Sequence, residues 1–421
     1  MRGDTDVIIF YLLVWVLPLV NHPFWGRKIG PLTVFEYLGI VSLLYTVFHS
    51  FSRGRFPRIF RTWPVRLFFL LYLVAVVSAF VAGQGVRLSN SSLIIYTSSM
   101  FLFVITISVV DSLPRLRWTI LALVGSYAFA SLYMMREWQV GHHIWGDFRP
   151  GWIVGDPNFF SAAAIFSISL AFCFMQGKRP GWEKFYCLGC MIGTLIALML
   201  CGSRGGFLGL GVAVSFLLWR TPNRIRNFAL LAVLVVPLTL ILPASPIHRW
   251  LHPSGSEIGS EENHLVAWQA GWKMIEAHPL TGIGLGNFKP MMPLYAPPGT
   301  KEDSIAHNMF IEVAAELGLP ALVLFVGIFV GSFRLLGKLR RRVSAPMIVR
   351  EAAGALQAGV LGIAVAGSFV SSEYQKTTWM GFALAACLVP LARSAKAAKT
   401  EAPVAVLPNE EAPVAAGMLF D

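Results

Sequence analysis

Two short stretches join reactive side chains to settings that could use them. The first is Gly202-Ser203-Arg204-Gly205-Gly206, between two nearly contiguous apolar runs. An arginine at a membrane boundary costs a few kcal/mol unless it is paired or wet. Its planar fork of donors suits a phosphate or pyrophosphate. The flanking glycines bring the backbone close and leave room for a bulky ligand. The plain alternative is a loop arginine snorkelling to the interface. The second stretch is Ala306-His307-Asn308, directly before another apolar run. A neutral imidazole there can take a proton from an attacking hydroxyl. The amides of a helix start nearby favour anions. The plain alternative is an N-terminal capping pair.

Both stretches belong to a chain whose solvent is largely lipid. Of its 421 residues, 56% are hydrophobic and only 13% charged, with mean hydropathy +0.64. A soluble domain carries about 25% charged residues. Apolar runs fall at about 7–21, 31–50, 65–82, 93–110, 116–135, 159–176, 184–201, 205–219, 228–243, 309–333, 353–370 and 378–392. Most approach the ~17–25 residues a helix needs to cross ~30 Å of hydrocarbon. They are continuously apolar and not alternating, which rules out a transmembrane β-barrel. The expected fold is therefore an all-α, polytopic membrane helix bundle of about twelve spans. The N-terminal spans fill 1–243 and the C-terminal spans 309–393. A long polar loop with short helices covers 244–308, and a disordered tail covers 394–421. The first run is expected to be a retained span and not a cleaved signal.

Charge placement orients the bundle. With the N-terminus inside, 23 of the 34 Lys and Arg residues fall on the cytoplasmic side. The positive-inside rule then puts both termini in the cytoplasm. It also accounts for most of the net charge of +12 without a nucleic-acid partner. The long loop, the 202–206 turn, the loop at 136–158 and the turn at 371–377 all fall on the outer, periplasmic face.

Within the long loop, His264, Trp268, Trp272 and Ile275 recur at three- and four-residue steps. This predicts an amphipathic helix over 262–277 on the membrane surface, ended by His278-Pro279, with the tryptophans as interfacial anchors. Gly282-Ile283-Gly284-Leu285-Gly286 lacks the strand and helix of a dinucleotide site and reads as a tight turn. Asp156-Pro157-Asn158 reads as an N-cap. His142, His143 and Asp147 have no spacing that sets a metal geometry. No metal or other cofactor is expected. The five cysteines, Cys173, Cys187, Cys190, Cys201 and Cys387, all lie in apolar runs and make no disulfide framework.

Over residues 150–370 the chain resembles the O-antigen ligase and O-antigen polymerase family of bacterial envelope enzymes. The resemblance rests on GSRGG at 202–206, AWQAGWKMIEAHPLTGIGLGNF at 267–288 and AHNMFIEVAAELGLPAL at 306–322, with DPNFF at 156–160. It implies a GT-C-like glycosyltransferase of the inner membrane with a periplasmic active site. The donor would be a glycan on undecaprenyl pyrophosphate. The acceptor would be lipid A–core, another glycan or a protein. The reaction would be inverting and metal-independent. Arg204 would hold the pyrophosphate and His307 would activate the acceptor hydroxyl. Family members usually carry an arginine a few residues before the AW pair, where this chain has His264. Departure of a pyrophosphate needs cationic support, for which His264, Lys273 and Arg149 are candidates, with Asn308 beside His307. The rival readings are a polysaccharide flippase or other transporter and a protein O-oligosaccharyltransferase.

Overall fold

The computed structural model describes residues 5–19, 21–30, 32–52, 62–81, 90–141, 149–241, 247, 255–298, 300 and 304–400. They form an all-α bundle. In chain order the helices are α1 (Thr5–Val16), α2 (Val34–Ser52), α3 (Trp63–Val81), α4 (Asn90–Val109), α5 (Leu113–Gln139), α6 (Pro157–Gln176) and α7 (Gly181–Cys201). There follow α8 (Arg204–Leu218), α9 (Arg224–Ile241), α10 (Gly255–Ala277), α11 (Phe288–Tyr295), α12 (Met309–Arg341), α13 (Met347–Ala366) and α14 (Lys376–Thr400). The described strands are a two-residue antiparallel pair, β1 (Lys28–Ile29) and β2 (Leu32–Thr33). Each of the twelve expected spans coincides with a helix. Seven of the described helices are long and apolar enough to cross a membrane, and three more are apolar but shorter. The last helix runs on to Thr400, beyond the expected start of the tail at 394. His142, His143 and Asp147 lie outside the described residues. All five cysteines are free.

Small residues let the central helices approach closely, as lipid-embedded packing requires. At the crossing of α8 and α13, a Cβ on Gly209 would lie 2.5 Å from the Gly362 carbonyl oxygen. Phe166 of α6 inserts between Gly359 of α13 and Gly381 of α14, where a Cβ on either glycine would meet its ring at 2.3 Å. The core is thus built of knobs on glycine holes.

The run at 309–333 is not one straight helix. Gly318 has φ 84° and ψ 169°, which breaks α12 after its second turn, and Pro320 follows. The break frees backbone groups that need partners. The 282–286 turn supplies them: Ile283 N donates to Ala315 O and Gly284 N to Glu316 O, each at 2.9 Å, while Leu319 N donates to Pro279 O at 2.8 Å. Gly282, Gly284 and Gly286 all have positive φ, as a tight turn demands. The outer loop therefore docks on the start of α12 and shares a second apolar core with it. That core holds Ala267, Ala270 and Met274 of α10, Phe288 and Met292 of α11, and Ala314 and Ala315 of α12.

Candidate active site

His307 stands between the loop and α12. Asn308 caps α12, its carboxamide oxygen accepting from Phe310 N at 3.0 Å and Ile311 N at 3.2 Å. A capping residue has extended backbone, so the chain must turn sharply just before it. His307 does so with φ 48°, the one positive φ outside glycine among the described residues. A left-handed residue with a Cβ costs about 1–2 kcal/mol, and it persists only where its surroundings fix it. The Ala306 peptide is held on both sides. Its N–H donates to Glu312 Oε2 at 3.3 Å, and its carbonyl accepts from Trp268 Nε1 at 2.9 Å. Beyond the cap, Met309 N donates to Gly367 O at 2.8 Å.

His264 lies four residues before Trp268, on the same face of α10. Its ring stacks on that of His307, with centroids 4.4 Å apart and planes 19° from parallel. Burial, and then the neighbouring His264, push His307 down to about 4. Its imidazole is therefore neutral at neutral pH and can accept a proton. Two α10 residues at one helical spacing thus serve His307, one at the ring and one at the preceding carbonyl. Trp268 is a structural donor and not a free interfacial anchor, whereas Trp272 is 60% exposed. Lys273 is exposed. Nine residues at 3.6 per turn carry it about 180° around α10 from His264, so α10 does not bring the two together.

Arg204 is the first residue of α8. Gly202 ends α7 with φ 60°, and Ser203 caps α8, its Oγ accepting from Gly206 N at 3.3 Å. The glycines do not leave open space, as the sequence suggests. A Cβ on Gly205 would lie 2.6 Å from Phe369 Cβ, and one on Gly206 2.2 Å from Ser161 Oγ. They let the start of α8 pack on α6 and on the turn at 367–375. That same turn supplies Gly367 O to Met309, and Ser371, whose hydroxyl donates to Glu312 Oε2. One turn therefore joins the Arg204 helix start to the His307 segment.

Arg149 is buried behind this assembly. It donates from Nε to Cys201 O and from Nη2 to Asn158 Oδ1, each at 2.7 Å. It ties the end of α7 to the start of α6. Its own loop is ordered by Glu137, which accepts from the N–H groups of Gly151, Trp152 and Ile153. Asp156 caps α6 as expected, accepting from Asn158 N and Phe159 N.

Three buried carboxyls complete the site, and the sequence analysis singles out none of them. Glu312 holds Ala306. Glu316 accepts from Phe288 N at 3.0 Å and from the Tyr374 hydroxyl. Glu373 is 1% exposed, and neither of its carboxyl oxygens has a hydrogen-bond partner. Burial, and then the charge of Glu312, raise the pKa of Glu373 well above the usual carboxyl value. For Glu312 and Glu316 the available signal is an acid in the first turns of an apolar run, where each demands a partner; Glu373 lies in the 371–377 turn. Among the described residues no group of three or more His, Cys, Asp or Glu side chains is arranged to hold a metal ion.

The O-antigen ligase family model matches residues 189–326. A teichuronic acid biosynthesis protein of Bacillus subtilis (strain 168), TuaE, is 20% identical over 422 residues. That alignment covers 91% of this chain and 85% of TuaE. Together they support a membrane enzyme that transfers glycans. The segment that carries Arg204, His264, Trp268, His307 and Glu312 is thus similar to the O-antigen ligase family, as its motifs imply.

Proposed function

We propose that the protein transfers a glycan from a polyprenyl-pyrophosphate carrier to an acceptor hydroxyl, with His307 as base and Arg204 as the pyrophosphate ligand. The observation that carries this reading is the clamped, neutral His307 at the start of α12, joined through the 367–375 turn to the N-terminus of α8. The acceptor O–H gives its proton to the imidazole, and its oxygen attacks the anomeric carbon. The bond from that carbon to the pyrophosphate breaks, and the carrier leaves with its bonding pair. A single displacement of this kind inverts the anomeric centre. The charge that develops on the leaving group falls to Arg204 and the positive end of the α8 dipole. Burial, and then His264, keep His307 unprotonated, and His264 contributes a donor N–H toward the pyrophosphate. Asn308 and Arg149 act as positioning residues, through the cap of α12 and the brace on α7. Lys273 has no part in this scheme.

The placement of Lys and Arg supports a periplasmic site with both termini in the cytoplasm. A lipid-linked glycan donor and a glycan acceptor fit the family resemblance; lipid A–core and protein hydroxyls offer the same nucleophile. The test replaces His307 and Arg204 by Ala and follows the glycans on a gel. Each variant is expected to stay in the membrane and lose transfer. Wild-type glycan banding in both variants overturns the assignment.

A further inference from the structure

The helix that begins at Arg204 carries a second feature along its length and at its far end. An apolar groove of about 680 Å³ lies along α8. Phe207, Gly211, Ser215 and Trp219 line it at four-residue steps, with Phe228 of α9 and Leu361 of α13 at its sides. Twelve residues of helix span about 18 Å. One leaflet of a bilayer is about 15 Å of hydrocarbon, half of ~30 Å. The groove therefore runs along nearly all of α8, from one turn past Arg204 to Trp219, and is longer than the apolar half of one leaflet. Trp219, 65% exposed, sits at its end, where an interfacial tryptophan belongs.

Arg220 closes that end. Its guanidinium lies 3.6 Å from the centroid of the Phe216 ring, and Nη1 donates to Gln357 Oε1 at 3.0 Å. Gln357 Nε2 in turn donates to Phe333 O at 3.0 Å. A Cβ placed on Gly337 would lie 2.7 Å from Gln357 Nε2 and 3.8 Å from Arg341 Nη1. Arg341 thus stands beside the same glutamine as Arg220. Burial, and then the charges of Arg340 and Arg341, push the pKa of Arg220 down. No ion pair among the described residues involves Arg220, Arg340 or Arg341, and the nearby Glu351 is taken by Arg179. Crowded guanidiniums with no carboxylate partner among the described residues, at one end of an apolar groove along α8, match an anionic headgroup with a chain attached.

We propose that this groove binds an anionic glycerophospholipid, its phosphate held by Arg220 and Arg341 and an acyl chain laid along α8. The test uses the full chain in a non-ionic detergent, with phosphatidylglycerol or phosphatidylcholine added, and counts bound lipids by native mass spectrometry. Phosphatidylglycerol is expected to be retained over phosphatidylcholine, and Arg220→Gln with Arg341→Gln to reduce that preference at least fivefold. Gly211→Phe offers an independent check. A Cβ built there meets no atom of another helix within 4 Å, so a side chain at 211 projects into the groove. It is expected to abolish the bound lipid with all arginines in place. Equal retention of the two lipids, or undiminished phosphatidylglycerol binding in both variants, overturns the proposal. So does a Gly211→Phe variant that turns a dimer into a monomer and leaves lipid binding unchanged, since a second copy would then be the occupant.

Discussion

His264 lies face to face with His307, ring centroids 4.4 Å apart, on the same helix whose Trp268 donates to the Ala306 carbonyl. Two stacked imidazoles cannot both carry a charge at little cost. A proton on His307 is disfavoured first by burial and then by this neighbour.

The pH dependence of glycan transfer should reflect this. A free histidine base would lose activity as pH falls through about 6.5. With His307 lowered to about 4, transfer is expected to hold from neutrality to near pH 5 and to fail only below that. His264→Arg places a permanent charge over the ring, which lowers the pKa further. It should preserve transfer at neutral pH and move the acid limb to lower pH. Measured pH–rate profiles check both, and an acid limb at or above 6.5 contradicts the first.

Trp268→Phe keeps a ring at the site but removes the donor to Ala306 O. One neutral hydrogen bond contributes about 1 kcal/mol, so kcat should fall roughly fivefold to tenfold. KM should change little, because the carrier does not depend on this bond. Trp272→Phe, at an exposed position, should leave kcat unaltered. Equal kinetics in the two variants would remove the positioning role of Trp268.

Glu373 predicts a pH slope in stability. An unfolded glutamate ionises near 4.3, whereas burial keeps the folded carboxyl protonated to much higher pH. Its contribution to stability is present in full below about 4.3 and is lost progressively as pH rises toward the folded pKa. Glu373→Gln mimics the neutral acid and does not titrate. Thermal melts in detergent at pH 6 and pH 9 should show a smaller fall in Tm for the variant than for the wild type.

Gly205 and Phe369 should be coupled. A methyl on Gly205 would meet Phe369 Cβ at 2.6 Å, and overpacking of this kind costs about 1–3 kcal/mol. Gly205→Ala is expected to lower Tm and transfer together. Adding Phe369→Gly should restore part of both, because the Phe369 Cβ is what the methyl strikes. A double variant no better than Gly205→Ala would place the requirement for glycine elsewhere.

The spans were legible in the sequence because lipid imposes one rule on every position: long apolar runs with their backbone bonds closed within each helix. The 282–286 turn and the Asp156 cap were legible for a similar reason, since each follows from local backbone chemistry. Arg204 and His307 stood out as polar groups in an apolar chain. Their supporting shell did not. Trp268 reads as an interfacial anchor until its indole is seen to reach Ala306, 38 residues away. Glu312 and Glu316 are not singled out in the sequence, and the 282–286 turn and Ala306 meet them only in the folded chain. The glycines of 202–206 read as space for a ligand, and Phe369 and Ser161 occupy that space instead. Local patterns reveal which residues need partners. Which partners they receive is set by contacts between segments tens to hundreds of residues apart, and only the tertiary structure decides those.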